Sequence, residues 1–191
     1  MKIKLFVLLS LAAVLFSCSP ATRLEKSWAD PSLTAETVKS FRKVLVVAPL
    51  KDETSQRIAE DKLVALLKNV EAVQSYLYLT AADTDQNQVV EKLKNDGFDG
   101  TILIRLKDVE KETTYQPGTS YGGWYGYRYA TPGYYSENTS FLVETNLYSL
   151  DQGKLLWSGT TSSLNPTKLD KTIDDIFATL RYEWQKKGLI K

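Results

Sequence analysis

Residues 41–50 read FRKVLVVAPL. From Val44 to Ala48 the run is continuously apolar and largely β-branched, and Pro49 closes it. A strand with one wet face would alternate apolar and polar residues, so Lys43 to Leu50 reads as a strand buried on both faces. Such a strand needs a layer on each side, and the chain beyond it supplies candidates. Between about Thr54 and Asn69, the side chains Leu63, Val64, Leu66, Leu67 and Val70 fall at helical spacing, with charges on the other face. Ala72 to Leu79 reads as a second strand. Gln86 to Asn95, carrying Val89, Val90 and Leu93, reads as a second helix stopped at Asp96-Gly97.

The second half of the chain changes character. A third strand runs from Phe98 to about Thr113: Ile102, Ile104 and Leu106 alternate with Thr101, Leu103 and Arg105, and from Lys107 to Thr114 it turns polar, as if outrunning the body of the domain. Glu137 to Leu150 is a fourth strand with Phe141, Val143 and Leu147 on one face. Asp151-Gln152-Gly153 is a hairpin turn, and Lys154 to Thr161, with Trp157, is a fifth strand. The last helix places Leu169, Ile173, Ile176, Phe177, Leu180 and Trp184 in one stripe. It has Asn165 as its expected N-cap, Pro166 at its first position and Gly188 as its stop. The order β-α-β-α-β-β-β-α predicts one α/β (α+β) sandwich spanning 41–191. Its mixed sheet of about five strands is parallel at first and antiparallel afterwards.

Between the third and fourth strands lies the most unusual composition. From Tyr115 to Tyr135, eight of twenty-one residues are Tyr or Trp, interleaved with Gly118, Gly122, Gly123, Gly126 and Gly133. That much glycine excludes a helix, so 115–135 is expected to be the tip of a long hairpin. Tyr, Trp, Gly and Ser are the residues binding surfaces use, because rigid rings give contact area at small entropic cost. Tyr121, Trp124, Tyr125, Tyr127, Tyr129, Tyr134 and Tyr135 are the candidate binding residues. Passive self-packing of the rings is the competing reading.

The N-terminus carries a second signal. Lys2 and Lys4 precede an apolar stretch from Leu5 to Phe16, interrupted only by Ser10 and too short for a stable membrane span, so 1–17 reads as a secretory signal. It ends in Leu15-Phe16-Ser17-Cys18, and Cys18 is the only cysteine. This resembles the lipobox of bacterial lipoproteins, which implies acyl chains, palmitate among them, on Cys18 as the mature N-terminus. Ser19 in place of Asp resembles the pattern sorted to the outer membrane. More than one acyl chain gives stable anchoring. Residues 18–40 then read as a lipidated tether and first docking segment, with Trp28 plugging the edge of the core.

The segments FRKVLVVAPLKDE, GFDGTILIRLKDVEKETTYQPG and NLYSLDQGKLLWSGTT resemble those of a group of small, uncharacterised bacterial lipoproteins, over about Trp28 to Leu189. More distantly, the element order is similar to periplasmic lipoprotein domains of penicillin-binding-protein activators, the curli secretion lipoprotein and the N-terminal domain of TolB. The resemblance implies an envelope protein that binds other envelope proteins. It carries over no functional residue.

The chemistry that remains is narrow. There is no histidine, so Ser-His and Cys-His couples and histidine-based zinc sites are excluded. Neither a P-loop nor a dinucleotide-binding glycine motif is present, and no cofactor is expected. The balance of 24 basic to 23 acidic residues, which loses Lys2 and Lys4 with the signal, argues against nucleic-acid binding. Two-carboxylate glycan hydrolysis needs only Asp or Glu, and Asp96, Asp99, Glu137 and Glu144 are the candidates, though no spacing singles them out. Asp83-x-Asp85 is a fragment of a calcium loop without its glycine or distal Glu, and reads as a helix-capping loop. Arg105 and Glu144 read as a cross-strand ion pair. The expectation is a non-enzymatic lipoprotein, held to the membrane by Cys18 and facing the periplasm. It binds another envelope component through the aromatic hairpin; glycan binding, glycan hydrolysis and a passive structural role are the alternatives. Nothing in the sequence sets the oligomeric state.

Overall fold

The computed structural model describes residues 21–118, 120–122, 128–130 and 132–190. Among these, the elements run β1 (Thr22–Ala29), α1 (Ala35–Ser40), β2 (Lys43–Val47), α2 (Glu53–Leu66), β3 (Glu71–Gln74), α3 (Ser75–Tyr78), α4 (Gln86–Asn95) and β4 (Gly100–Gln116). After them come β5 (Ser120–Gly122), β6 (Arg128–Ala130), β7 (Tyr134–Ser149), β8 (Lys154–Leu164) and α5 (Leu169–Lys186). Six strands form one mixed sheet in the order β1-β8-β7-β4-β2-β3. β2 is parallel to β3 and β4, whereas β4, β7, β8 and β1 are successively antiparallel. The α/β class and the change from parallel to antiparallel pairing are as the sequence predicts.

The opening stretch explains the layering. Val44, Leu45 and Val46 are at most 2% exposed. Val46 packs into a core with Ala59 and Leu63 of α2 and with Ile173, Ile176, Phe177 and Leu180 of α5. Leu45 points the other way, into a second core with Leu93, Phe98 and Leu150, lined by Val89 and Val90 of α4. Period-two alternation of one strand thus feeds two layers, which is why both of its faces are apolar. A few residues before the arm leaves the body, β4 bulges: the β4–β7 register shifts between Leu106 and Asp108, leaving Lys107 as the extra residue.

Four expectations are corrected. Thr22–Ala29, read as part of a tether, is an edge strand that pairs with β8 from Thr22↔Ser163 to Ala29↔Trp157, giving the sheet its sixth strand. A bulge between Leu24 and Lys26 switches the alternation partway along, so the apolar pattern that would betray a strand is broken. Trp28, read as a core plug, is 49% exposed on that strand. The strand expected from Ala72 to Leu79 stops at Gln74, and Ser75–Tyr78 is a helical turn. Buried Glu60 draws it in, accepting from the Ser75 hydroxyl at 2.7 Å and the Tyr76 backbone N–H at 3.3 Å. Finally, α5 starts at Leu169 with Lys168 at its N-cap. Asn165, the expected cap, adopts a positive φ of 45° and locks the end of β8 to β7: its N–H donates to the Thr139 carbonyl and its Oδ1 accepts from the Thr139 N–H, both at 2.8 Å. Asparagine tolerates that left-handed conformation better than most residues.

The α4 boundaries match their sequence signals closely. Asp85 accepts from the Gln88 N–H at 2.9 Å as N-cap. Gly97 takes a φ of 77° past the C-terminus, and the Phe98 N–H closes back onto the Leu93 carbonyl at 2.9 Å.

Candidate functional site

The aromatic hairpin is carried by the two longest strands, β4 and β7, which pair from Gly100↔Ser149 to Gln116↔Tyr134. β8 accompanies β7 only as far as Ser140↔Leu164, and β2 accompanies β4 only as far as Leu103. Beyond that level, from Lys111↔Thr139 to Gln116↔Tyr134, the ribbon has two strands. At about 3.4 Å per residue this adds roughly 20 Å of arm past the rest of the sheet. The hairpin continues as a separate two-stranded ladder in which Ser120, Tyr121 and Gly122 pair with Ala130, Tyr129 and Arg128.

Polar residues build the stem because it has no layer to bury. Lys111 and Glu137, on opposite strands, lie 3.2 Å apart. Where the stem ends, Tyr115 and Tyr135 are cross-strand partners, their ring centroids 5.0 Å apart and tilted by 49°. Tyr115, Tyr134 and Tyr135 are 54%, 65% and 74% exposed. Gly133 leaves little room for a side chain: a Cβ on it would crowd the Tyr115 ring and come 2.9 Å from the Gln116 carbonyl oxygen. Of the sequence-predicted residues, Tyr135 pairs with Tyr115 at this junction and Tyr134 lies beside it on the other face of the ribbon, while Tyr121 and Tyr129 are register partners in the outer ladder. Trp124, Tyr125, Tyr127 and Cys18 lie outside the described residues.

The candidate carboxylates all have structural partners. Glu144 accepts from Arg105 Nε at 2.7 Å and Nη2 at 2.5 Å, with Lys107 3.8 Å away, and Arg105↔Glu144 is a register pair as expected. Burial pushes the Glu144 carboxyl up, but Arg105 outweighs it and the net shift is downward. Asp99 accepts from the backbone N–H groups of Arg42 at 2.5 Å and Lys43 at 3.0 Å, tying the start of β2 to β4. There too burial opposes the shift, while those N–H groups and the Arg42 guanidinium carry it downward. Asp96 accepts from the Tyr78 hydroxyl, and burial together with that bond pushes the phenol up to about 12. Asp83 accepts from the Thr80 N–H and hydroxyl and from Lys92, so with Asp85 it caps and ties a loop. Among the described residues there is no group of three acidic, His or Cys side chains that could hold a metal ion, and no helix is long and apolar enough to cross a membrane.

These ties predict acid sensitivity. Asp30 is held down to about 2, first by the Ser32 hydroxyl, then by its N–H and by Lys154. Asp52, Asp83, Asp99 and Glu144 are also lowered. A carboxyl whose folded pKa lies below its unfolded value of about 4 stabilises the fold at pH values above 4 and loses that contribution as pH falls through the folded pKa. The urea midpoint is therefore expected to be steady from pH 7 to 5 and to fall between about pH 4 and 2. A midpoint that holds or rises on acidification contradicts this reading.

The sheet face opposite α5 carries a feature that sequence reasoning missed. There Lys26, Ser27, Trp28, Glu144, Ser158 and Thr160 line a shallow hollow of about 270 Å³. The hidden signal was β1 itself: only its pairing to β8 brings Trp28 opposite Ser158.

No family model matches the chain, and no curated protein matches it. Among solved structures, the chain is similar to lipoprotein GNA1162 from Neisseria meningitidis at 15% identity, with 76% of this chain and 99% of that one covered and a TM-score of 0.42. It is similar to the PelC dodecamer from Paraburkholderia phytofirmans at 12% identity, over 80% of this chain and 89% of that one, with a TM-score of 0.42. A PDZ domain protein from Parabacteroides distasonis aligns at 11% identity over 88% of this chain and 38% of that one, with a TM-score of 0.34.

Proposed function

We propose that this chain is a lipid-anchored lipoprotein of the bacterial envelope that works by contact, without catalysis, and that the arm formed by β4 and β7 makes the contact. The observation that carries the reading is a set of three exposed tyrosines, the Tyr115–Tyr135 pair on one face and Tyr134 on the other, at the end of a ribbon that outruns the rest of the sheet. Exposed aromatic rings gathered at one projecting end of a protein suit an interaction site. The segment Leu15-Phe16-Ser17-Cys18 supports the anchor, and Ser19 supports an outer-membrane address facing the periplasm. The absence of histidine and the structural partners of Glu144, Asp99 and Asp96 support a role other than catalysis.

Crosslinking in intact cells tests the role of the arm. Wild-type chain is expected to trap an envelope component that a chain lacking 115–135 fails to trap. Equal recovery from both would remove the arm from the function.

A further inference from the structure

The place where the N-terminus leaves the sheet bears on what the arm touches. β1 runs antiparallel to β8, and its first residue, Thr22, pairs with Ser163. One step earlier, the Ala21 carbonyl accepts from the Leu164 N–H at 2.8 Å, which pins residue 21 to the end of β8. Leu164 in turn pairs with Ser140, the last residue of β7 that has a partner on that side before the two-stranded arm begins. The chain therefore enters the domain at the same end of the sheet from which the arm projects. Had β1 run the other way, entry and arm would lie at opposite ends.

We infer that the arm lies against the surface of the same bilayer that holds the acyl chains of Cys18, with Tyr115, Tyr134 and Tyr135 at headgroup depth. This rests on the lipoprotein reading and names the envelope component that the arm meets as lipid. From Cys18 to Ala21 there are three peptide steps, which span at most about 11 Å. That is too little slack for the body to turn over and point its arm away. The arm extends roughly 20 Å beyond the entry point. Standing upright it would carry its tip past the depth of Cys18, and leaning over it would rest along the surface; both place its end in contact with lipid.

Charge along the arm agrees with this. The stem carries Asp108, Glu110, Glu112 and Glu137 against Lys107 and Lys111, so an anionic surface repels it. From Tyr115 to Tyr135 the one charged residue is Arg128, a cation among eight Tyr and Trp. Tyrosine and tryptophan favour the membrane interface, where the ring meets apolar surroundings and the polar atom stays wet. A tip that is aromatic and weakly cationic, on a stem that is acidic, suits contact at the end of the arm.

Two measurements test this independently of each other. Palmitate labelling in cells, wild type against Cys18→Ala, reads the anchor alone. Flotation reads the arm alone: residues 19–191, which lack the acylated cysteine, are mixed with vesicles of phosphatidylethanolamine containing one quarter phosphatidylglycerol. The expected result is measurable co-flotation, reduced about tenfold or more by Tyr115→Ser, Tyr134→Ser and Tyr135→Ser together, since interfacial binding scales with buried apolar area. Circular dichroism confirms that the triple variant is folded, and exposed stem-end positions make that the expected outcome. Absence of co-flotation, or equal flotation of the triple variant, overturns the inference. So does a protein partner in cells that depends on the arm while pure lipid vesicles recover none of the chain. Label that is absent from wild type or persists in Cys18→Ala removes the anchor and with it the geometric argument, even if the arm floats.

Discussion

Replacing Glu60 by Ala is expected to destabilise the fold by about 3–5 kcal/mol, the larger part from backbone donors left buried without partners. Glu60 is fully buried on α2. Its Oε1 accepts from the Ala48 N–H at 2.9 Å, the Ser75 hydroxyl at 2.7 Å and Gln56 Nε2 at 3.1 Å, and its Oε2 accepts from the Tyr76 N–H at 3.3 Å. One side chain thus closes the end of β2, holds the turn of α3 and fastens both to α2. Each buried donor left unpaired costs about 1–3 kcal/mol. Glu60→Gln keeps one acceptor oxygen but sets an amide N–H₂ against a backbone or hydroxyl donor, so an intermediate loss of about 1–3 kcal/mol is expected. Urea unfolding at pH 7, with the m-value checked for change, measures both. A Glu60→Ala loss under about 1 kcal/mol would show that these bonds are dispensable.

Trp157→Ala is expected to cost about 3–5 kcal/mol as well, for a different reason. The indole has no exposed surface and meets Trp184 of α5 edge-on, with centroids 5.4 Å apart and an interplanar angle of 71°. The outer edge of its six-membered ring also lies against Gly159, where a Cβ would collide with its Cη2 atom. Gly159→Ala alone should therefore cost about 1–3 kcal/mol by displacing a ring that core neighbours hold in place. The double variant should be less destabilised than the two losses added together, because the new methyl occupies space the indole has vacated. Thermal unfolding of the four chains gives the coupling, and additivity within about 0.5 kcal/mol would sink the claim that the indole requires glycine there. Both Trp157 and Trp184 have buried indole N–H groups with no partner among the described residues, so what these rings contribute is packing.

Much of this fold is legible in the sequence, and the reason differs by element. β2 is legible because a strand buried on both faces must be apolar at every position, which leaves Val44 to Ala48 without a competing reading. α4 is legible because Asp85, Val89, Val90, Leu93 and Gly97 give its start, stripe and stop around a ten-residue helix. The arm is legible as a change of composition along one strand, from Ile102, Ile104 and Leu106 to a polar stem. β1 is hidden because an edge strand has one neighbour and a bulge breaks its alternation. The turn of α3 is hidden because the sequence Tyr76-Leu77-Tyr78-Leu79 suits a strand, and the decision lies with Glu60, fifteen residues away from Ser75. Glu60 itself left a trace: it precedes Leu63 and Val64 at helical spacing, so a carboxyl group stood in the apolar stripe of α2. Of the candidate site, the residue types are legible in the sequence, and the structure adds that Tyr134 and Tyr135 are exposed at the end of the stem. The side of the sheet from which the chain enters was not, since it depends on a strand that the sequence conceals.

The bulge at Lys107 gives the molecule a separation between aim and cargo. Leu106 and Asp108 pair with the adjacent residues Val143 and Leu142, so removing the single residue between them would leave every other cross-strand partner of β4 and β7 in place. What such a deletion changes is the local twist that a bulge imposes on its strand. One codon therefore redirects the ribbon while its tyrosines keep their neighbours, and a lineage can re-aim this arm toward a different surface without rewriting what the arm carries.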